Sequence, residues 1–300
     1  MSQWREFILQ PGEVFRFEVL ETLWERHTAF QHVEILRTST FGKAVMIDQK
    51  PQSSQIDHRL FNEVMVHAPL AILDKAQSAL MVGGGPGSGL AELVKYKRLQ
   101  QIVLCDLDAE AVAAYKQYLP EWHRGAYEDP RVRIHHEDAR KWLAQTSHQF
   151  DVIYLDIPDP LEASPARTLF TVEFYENLVQ KLSPDGVLIS QAGRSSVHNL
   201  KYHAGIVHTL REVFPIVESF ERFIPFYAES WGFVWASRTQ SPFAKSPTEI
   251  DRDLANWGIQ DRQAYDGRIH HAMFALPNCV RLGIEREGRV HSEASPLIVK

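Results

Sequence analysis

An apolar run at residues 79–82 (ALMV) passes without interruption into GGGPGSG at 83–89, and then into LAELVKY, which has helical spacing. Four apolar residues without alternation suit a strand buried on both faces. The glycines let the chain turn sharply and let backbone approach a ligand. Few arrangements tolerate this order of strand, glycine turn and helix other than a parallel sheet wound with helices. A second apolar run, IVLC at 102–105, delivers Asp106 to its end some twenty residues past the loop. A carboxylate there can accept hydrogen bonds from both hydroxyls of a ribose, so turn and acid together predict a nucleoside site.

The alternation continues along the chain. A helix is expected at 109–118, a strand at VRIHH (132–136), a short helix at 140–144, and a strand at DVIYLD (151–156). A helix at 172–182 should stop at SPDG, followed by the core strand GVLISQ (186–191), a helix at 201–213 and strand-like segments VESFERFIPF and WGFVWAS. The prediction is an α/β fold, a Rossmann-like, methyltransferase-type doubly wound parallel sheet whose ligand crevice lies at the carboxyl ends of the strands. Ahead of it, FRFEVLETLWER, AFQHVEILRT and KAVMID read as a small antiparallel β-domain ending near PQSSQ. A helix over 56–73 follows, complicated in its last turn by Pro69. The expected domains are therefore 1–55, 56–240 and a C-terminal extension 241–300. The extension begins with a linker and a helix at 247–257 and is less regular over its last 40 residues.

With 300 residues, 44% of them hydrophobic, the chain can bury a large core. A net charge of -6 with scattered Lys and Arg argues against nucleic acid as a partner and would welcome a small cation. Two cysteines without a CxxC pair point to a reducing compartment. The first residues lack a signal-peptide core, and no apolar run reaches the ~18 residues of a membrane helix. The expectation is a cytoplasmic protein that meets no membrane.

FDVIYLDIPDP (150–160) puts Asp156 at a strand end and Asp159 three residues on, between two prolines. Two carboxylates facing one crevice can hold an ammonium group and accept its proton. Fourteen histidines invite a metal, but their spacing makes no convincing ligand set and no metal is expected. HExxH, a phosphate-loop lysine and GxSxG are all absent, which disfavours metalloprotease, P-loop nucleotidase and serine hydrolase. Tyr227 and Trp231 each join an apolar ring to a polar tip that suits a binding wall.

AFQHVEI, FGKAVMIDQKPQSSQID, GGGPG, DLD, LPEWHRGAYEDPRV, EDA, FDVIYLDIPDP and WGFVWAS, in this order, resemble the spermidine synthase family of polyamine aminopropyltransferases, most closely its thermospermine synthase-like branch. The resemblance implies an N-terminal β-domain over a Rossmann-like domain, assembled as a homodimer or homotetramer. It implies aminopropyl transfer from the co-substrate decarboxylated S-adenosylmethionine to a polyamine, with no tightly bound cofactor. By similarity Asp156 is the proton acceptor. Gln31, Asn62, Gly83, Gly85, Gly87, Asp106, Asp138 and Ala139 would contact the donor, and Pro165 would belong to the loop closing over it. Gln52, Phe61, Asp159 and Tyr227 would line and position the acceptor amine. Three positions depart from the family pattern: Pro86 replaces a loop acid, Asn62 a His or Gln, and His58 a glutamate. Proline cannot supply the charge-assisted hydrogen bond of that acid. Two alternatives stay open on this account: intact S-adenosylmethionine as donor for methyl or aminocarboxypropyl transfer, and a non-catalytic homologue that binds nucleoside or polyamine.

Overall fold

The structure is a computed structural model that describes residues 3–10, 12–160, 162 and 165–299, without the side chains of Gln10 and Pro165. Five strands open the chain: β1 (Gln3–Gln10), β2 (Glu13–His27), β3 (His32–Thr38), β4 (Gly42–Ile47) and β5 (Lys50–Ser54). They form one antiparallel sheet in sequential order. Two of these strands differ from the sequence expectation. β1 was unforeseen, and PQSSQ, read as the end of the unit, lies mostly in β5, paired with β4. Pro51 is accommodated because β5 is an edge strand.

α1 (His58–Ile72) runs through Pro69 and ends one turn later. The alternating part then follows: β6 (Ser78–Gly83), α2 (Ser88–Leu93), β7 (Gln101–Cys105), α3 (Ala109–Tyr118), α4 (Pro120–His123), β8 (Val132–His135), α5 (Ala139–Gln145), β9 (Phe150–Asp156), α6 (Val172–Val179), β10 (Leu182–Arg194), α7 (Lys201–Arg211), β11 (Ile216–Ile224) and β12 (Glu229–Ser237). The sheet order is β11-β12-β10-β9-β6-β7-β8. The five strands from β10 to β8 are parallel, as the alternation of strand and helix predicts, while β12 pairs antiparallel with both β10 and β11, so the whole sheet is mixed. A strand already begins at Leu182 and runs through SPDG with a register shift before Val187, which is why α6 stops at Val179.

Alternation decides which helix covers which face. Ala79 and Met81 of β6 point with Ile102 and Leu104 toward α1 and α2, whereas Leu80 and Val82 point with Val103 and Cys105 toward the layer of α5, α6 and α7. Both faces being covered explains why β6 and β7 read as unbroken apolar runs. The N-terminal sheet packs Val33, Ile35 and Val45 on Ala111, Tyr115 and Trp122, which seats it over the carboxyl edge of the large sheet.

The last stretch is more regular than its sequence suggested. α8 (Pro247–Asn256) starts with a capping box made by Ser246 and Glu249, and α9 (Gly267–Met273) and α10 (Asn278–Glu287) follow. α8 packs on α1 and α10 on α7. Among the described residues no helix is long and apolar enough to cross a membrane.

Candidate active site

The chain leaves β6, builds β7 and β8 on one side, and returns to lay β9 on the other. The order reverses between β6 and β9, and a crevice opens at such a switch point, beyond the strand ends. Here it has a volume of about 1530 Å³ and is walled on the far side by the N-terminal sheet.

The glycine loop forms its floor. Gly83 and Gly84 both have φ of +76°, and Gly83 lies level with Asp156 across the sheet. A Cβ on Gly83 would sit 2.1 Å from the Asp156 carbonyl oxygen, one on Gly84 would stand 3.1 Å from the Asp156 carboxylate, and one on Gly85 would lie 2.8 Å from the Asp106 carboxylate. Bare backbone is therefore what lets these two acids share one cavity. Gly87 does something else. It is the left-handed residue ahead of α2, and a Cβ there would meet His123 and Tyr127 at 2.7 and 2.9 Å, so it serves the turn into the helix beside the crevice.

At the β7 end Asp106 accepts a hydrogen bond from the Asp108 N–H (3.0 Å), and burial together with the neighbouring Asp108 charge pushes its pKa up to about 6. Asp108 caps α3 through the Ala111 N–H and accepts from Thr28 Oγ1 (2.7 Å) and Gln31 Nε2 (3.0 Å). Gln31, expected at the donor, thus reaches the crevice already tied to the strand tip. Asp138 caps α5 through the N–H groups of Arg140 and Lys141 while lining the same wall with Ala139. Tyr115 stands beside Asp106, buried, its hydroxyl unpartnered among the described residues.

Asp156 ends β9. Among the described residues its carboxylate accepts no hydrogen bond, and burial first, then the Asp106 charge, raises its pKa to about 7. Asp159 is also pushed up by burial, against the pull of Lys50, Arg194 and the Tyr202 hydroxyl. The Lys50 ammonium lies 3.8 Å from the Asp159 carboxylate. Tyr227 donates to the Gln52 carbonyl and packs edge-on to Phe61. Asp57 holds that corner from behind by accepting from the N–H groups of Ser54 (3.2 Å) and Phe226 (2.6 Å). Trp231 donates to Gln191 (3.1 Å), which in turn donates to the Ile157 carbonyl (2.7 Å).

Asn62 and Pro86 line the crevice, and beside them His58 hydrogen-bonds Ser88 (3.0 Å) and stacks on Trp122. The three departures noted from sequence therefore meet in one corner. Burial pushes the His58 imidazole down to about 4, so at neutral pH none of these three side chains is charged, while Arg59, Glu92, Glu121 and Arg124 stand within electrostatic reach of His58. Pro165 opens a single 3-10 turn, Pro165–Thr168. Its side chain, like Leu161, Ala163 and Ser164 of the same loop, lies outside the described residues. Sequence reasoning missed Tyr115, Lys50 and the tail residues Leu297, Ile298 and Val299, all of which line the crevice. The Val299 N–H donates to the Pro160 carbonyl (2.9 Å), a contact with no signal in a local pattern.

Fold and crevice together define a Rossmann-like protein whose strand-tip carboxylate Asp106 shares one crevice with a second pair of acids, Asp156 and Asp159. Residues 58–246 match the spermine/spermidine synthase domain and residues 3–54 the spermidine synthase tetramerisation domain. The chain is 37% identical to a polyamine aminopropyltransferase of Nitrosomonas europaea, over 91% of this chain and 83% of that one. It is 34% identical to one of Aeropyrum pernix, over 96% and 93%. A spermidine synthase structure from Thermotoga maritima superposes with a TM-score of 0.85 at 22% identity, covering 95% of this chain and 94% of that one. A spermidine synthase in complex with the transition-state analogue AdoDATO gives 0.86 at 23%, covering 95% of each. The chain belongs to the spermine/spermidine synthase family.

Proposed function

We propose that this protein is a polyamine aminopropyltransferase that moves the aminopropyl group of decarboxylated S-adenosylmethionine to a polyamine nitrogen. The observation that carries the reading is the Asp156 carboxylate, set at the switch point with no hydrogen bond among the described residues and a pKa of about 7, in one crevice with Asp106 and Asp159. The names of the relatives, similar over nearly the whole chain, support it.

The chemistry asks little else of the protein. A sulfonium activates the adjacent carbon, so the amine lone pair forms the new nitrogen–carbon bond as the carbon–sulfur bond breaks. The electron pair returns to sulfur, leaving a neutral thioether nucleoside. The protein has to align the amine in line with that bond and take up its proton. In this reading Asp156 is the base, and Asp106 holds the ribose hydroxyls. Gln31, Asn62, Gly83, Gly85, Asp138 and Ala139 surround the nucleoside, Pro165 belongs to the covering loop, and Gln52, Phe61, Asp159 and Tyr227 shape the acceptor end. The acceptor in this reading is a di- or polyamine, and the likeness to the thermospermine synthase-like branch is part of the same proposal. The division at 1–55, 56–240 and 241–300 fits a wall, a catalytic layer and a brace.

Assembly as a homodimer or homotetramer is part of the reading, supported by the tetramerisation-domain match and by exposed Trp4, Ile8, Val14 and Leu20 on β1 and β2.

The test is to incubate the protein with decarboxylated or intact S-adenosylmethionine and a panel of amines, then weigh the products. Aminopropylated amine formed only from the decarboxylated donor is expected. Methylated or aminocarboxypropylated product would transfer the reading to the intact donor, for which the uncharged side chain of Pro86 leaves room. Nucleoside binding without any product would mean a non-catalytic homologue.

A further inference from the structure

β4 and β5 are joined by only two residues, since Ile47 pairs with Lys50. Both of them, Asp48 at φ +47° and Gln49 at φ +64°, are left-handed, as a two-residue hairpin turn of this kind requires, and neither is the glycine that adopts this region most readily. The turn and Lys50 line the crevice, so a tight hairpin holds a cation at the acceptor end.

The charged groups that share the crevice with that cation come from every surrounding element, beginning with Asp48 on its own turn. β9 and the loop after it bring Asp156 and Asp159, β10 brings Arg194, and the Tyr202 hydroxyl on α7 bonds Asp159. Arg194 is itself held by Glu229 of β12 at 2.7 Å. Farther along the wall stand Glu6 of β1, His198, Lys201 of α7 and Glu287 of α10. Arg194 is thus matched by Glu229, while the Lys50 contact with Asp159, at 3.8 Å, is loose.

An amine arriving between Asp156 and Asp159 would be stabilised as an ammonium, and an ammonium has no lone pair with which to attack. A fixed like charge beside it disfavours the protonated form. We propose that Lys50 is a positioning residue for the acceptor: its charge balances Asp159, so the bound amine gives up its proton and reacts as the free base. The inference rests on the aminopropyl-transfer reading and adds to it a reason why the acceptor end carries its own cation. Lys50 lowers affinity for the protonated substrate and raises its reactivity, since binding energy spent on the ground state does not accelerate the chemical step.

The test compares wild type with Lys50→Met, which keeps the stem and removes the charge, and with Lys50→Arg. Putrescine and spermidine are titrated calorimetrically into protein preloaded with the thioether product methylthioadenosine, in buffers of different ionisation heat, to count protons released per amine. The pH profile of kcat is recorded in parallel. Lys50→Met is expected to bind amine about tenfold more tightly, release fewer protons, and shift the rise of kcat about one pH unit to the alkaline side, with Lys50→Arg restoring all three. Unchanged proton release and an unchanged profile in Lys50→Met would overturn the inference while leaving the transferase reading intact. Lys50-dependent proton release in a protein that forms no aminopropylated product would do the reverse. Absence of amine binding to the wild-type protein would overturn both.

Discussion

At the end of the crevice that the proposed function gives to the donor, Asp106, Asp108 and Asp138 each accept hydrogen bonds from backbone N–H groups two or three residues further along the chain. At the acceptor end the groups come from far apart: Lys50 from β5, Asp159 from the loop after β9, Arg194 from β10, and Tyr227 from the turn ahead of β12. The first end is a set of strand-to-helix turns that each segment can build for itself. The second exists only when the N-terminal sheet, the large sheet and the tail have all docked. A site built in this way sets one end by local turns and leaves the other to tertiary packing.

The contrast is broken most directly at Asp156. Asp156→Asn keeps the shape and removes the base, so kcat should fall by about 10²- to 10⁴-fold with the donor dissociation constant nearly unchanged. Near-normal turnover would take Asp156 out of the mechanism. At the other pole, Asp106→Asn should weaken donor binding by ~1.5–3 kcal/mol, roughly 10- to 100-fold, without altering amine affinity, as equilibrium titrations of each ligand would show. Equal losses for both ligands would mean that the two ends are not separable.

The smallest effect is on stability. Burial raises the folded pKa of Asp106 to about 6 and of Asp156 to about 7, above the ordinary carboxylate range. Groups raised in this way contribute stability that is fully present below the unfolded pKa and is lost as pH rises through the folded value. These two acids should therefore destabilise the unliganded protein progressively between about pH 4 and pH 7. Asp156→Asn should remove the part of that loss that ends near pH 7, raising Tm above neutrality by on the order of 2–4 °C per kcal/mol regained. Thermal melts of both proteins across that range would check it, and parallel curves would contradict the assignment of the higher pKa.

The donor end was legible because its signals are local. ALMV-GGG and IVLC-D specify strand, turn and acid within a few residues, and Asp156 at the end of DVIYL follows the same rule. Gly87 shows a second use of the same motif: its left-handed backbone makes the turn into α2, where a side chain would meet His123 and Tyr127. β5 was missed because Lys50–Ser54 holds a proline and polar residues, and only pairing with β4 makes it a strand. Lys50 and Val299 were missed because nothing in their own neighbourhoods marks them; their partners, Asp159 and Pro160, lie more than a hundred residues away in sequence.

The chain's own sequence determined that a glycine loop and carboxylates would stand at the tips of a wound sheet, since apolar runs buried on two faces can end in few other ways. Tertiary structure alone decided that β12 reverses direction, that an antiparallel sheet closes the crevice, and that a lysine from it faces an aspartate at 3.8 Å. The physical reason is range. Turns and caps are satisfied by neighbours along the chain, while the balance of charge in a cavity depends on every element that reaches it.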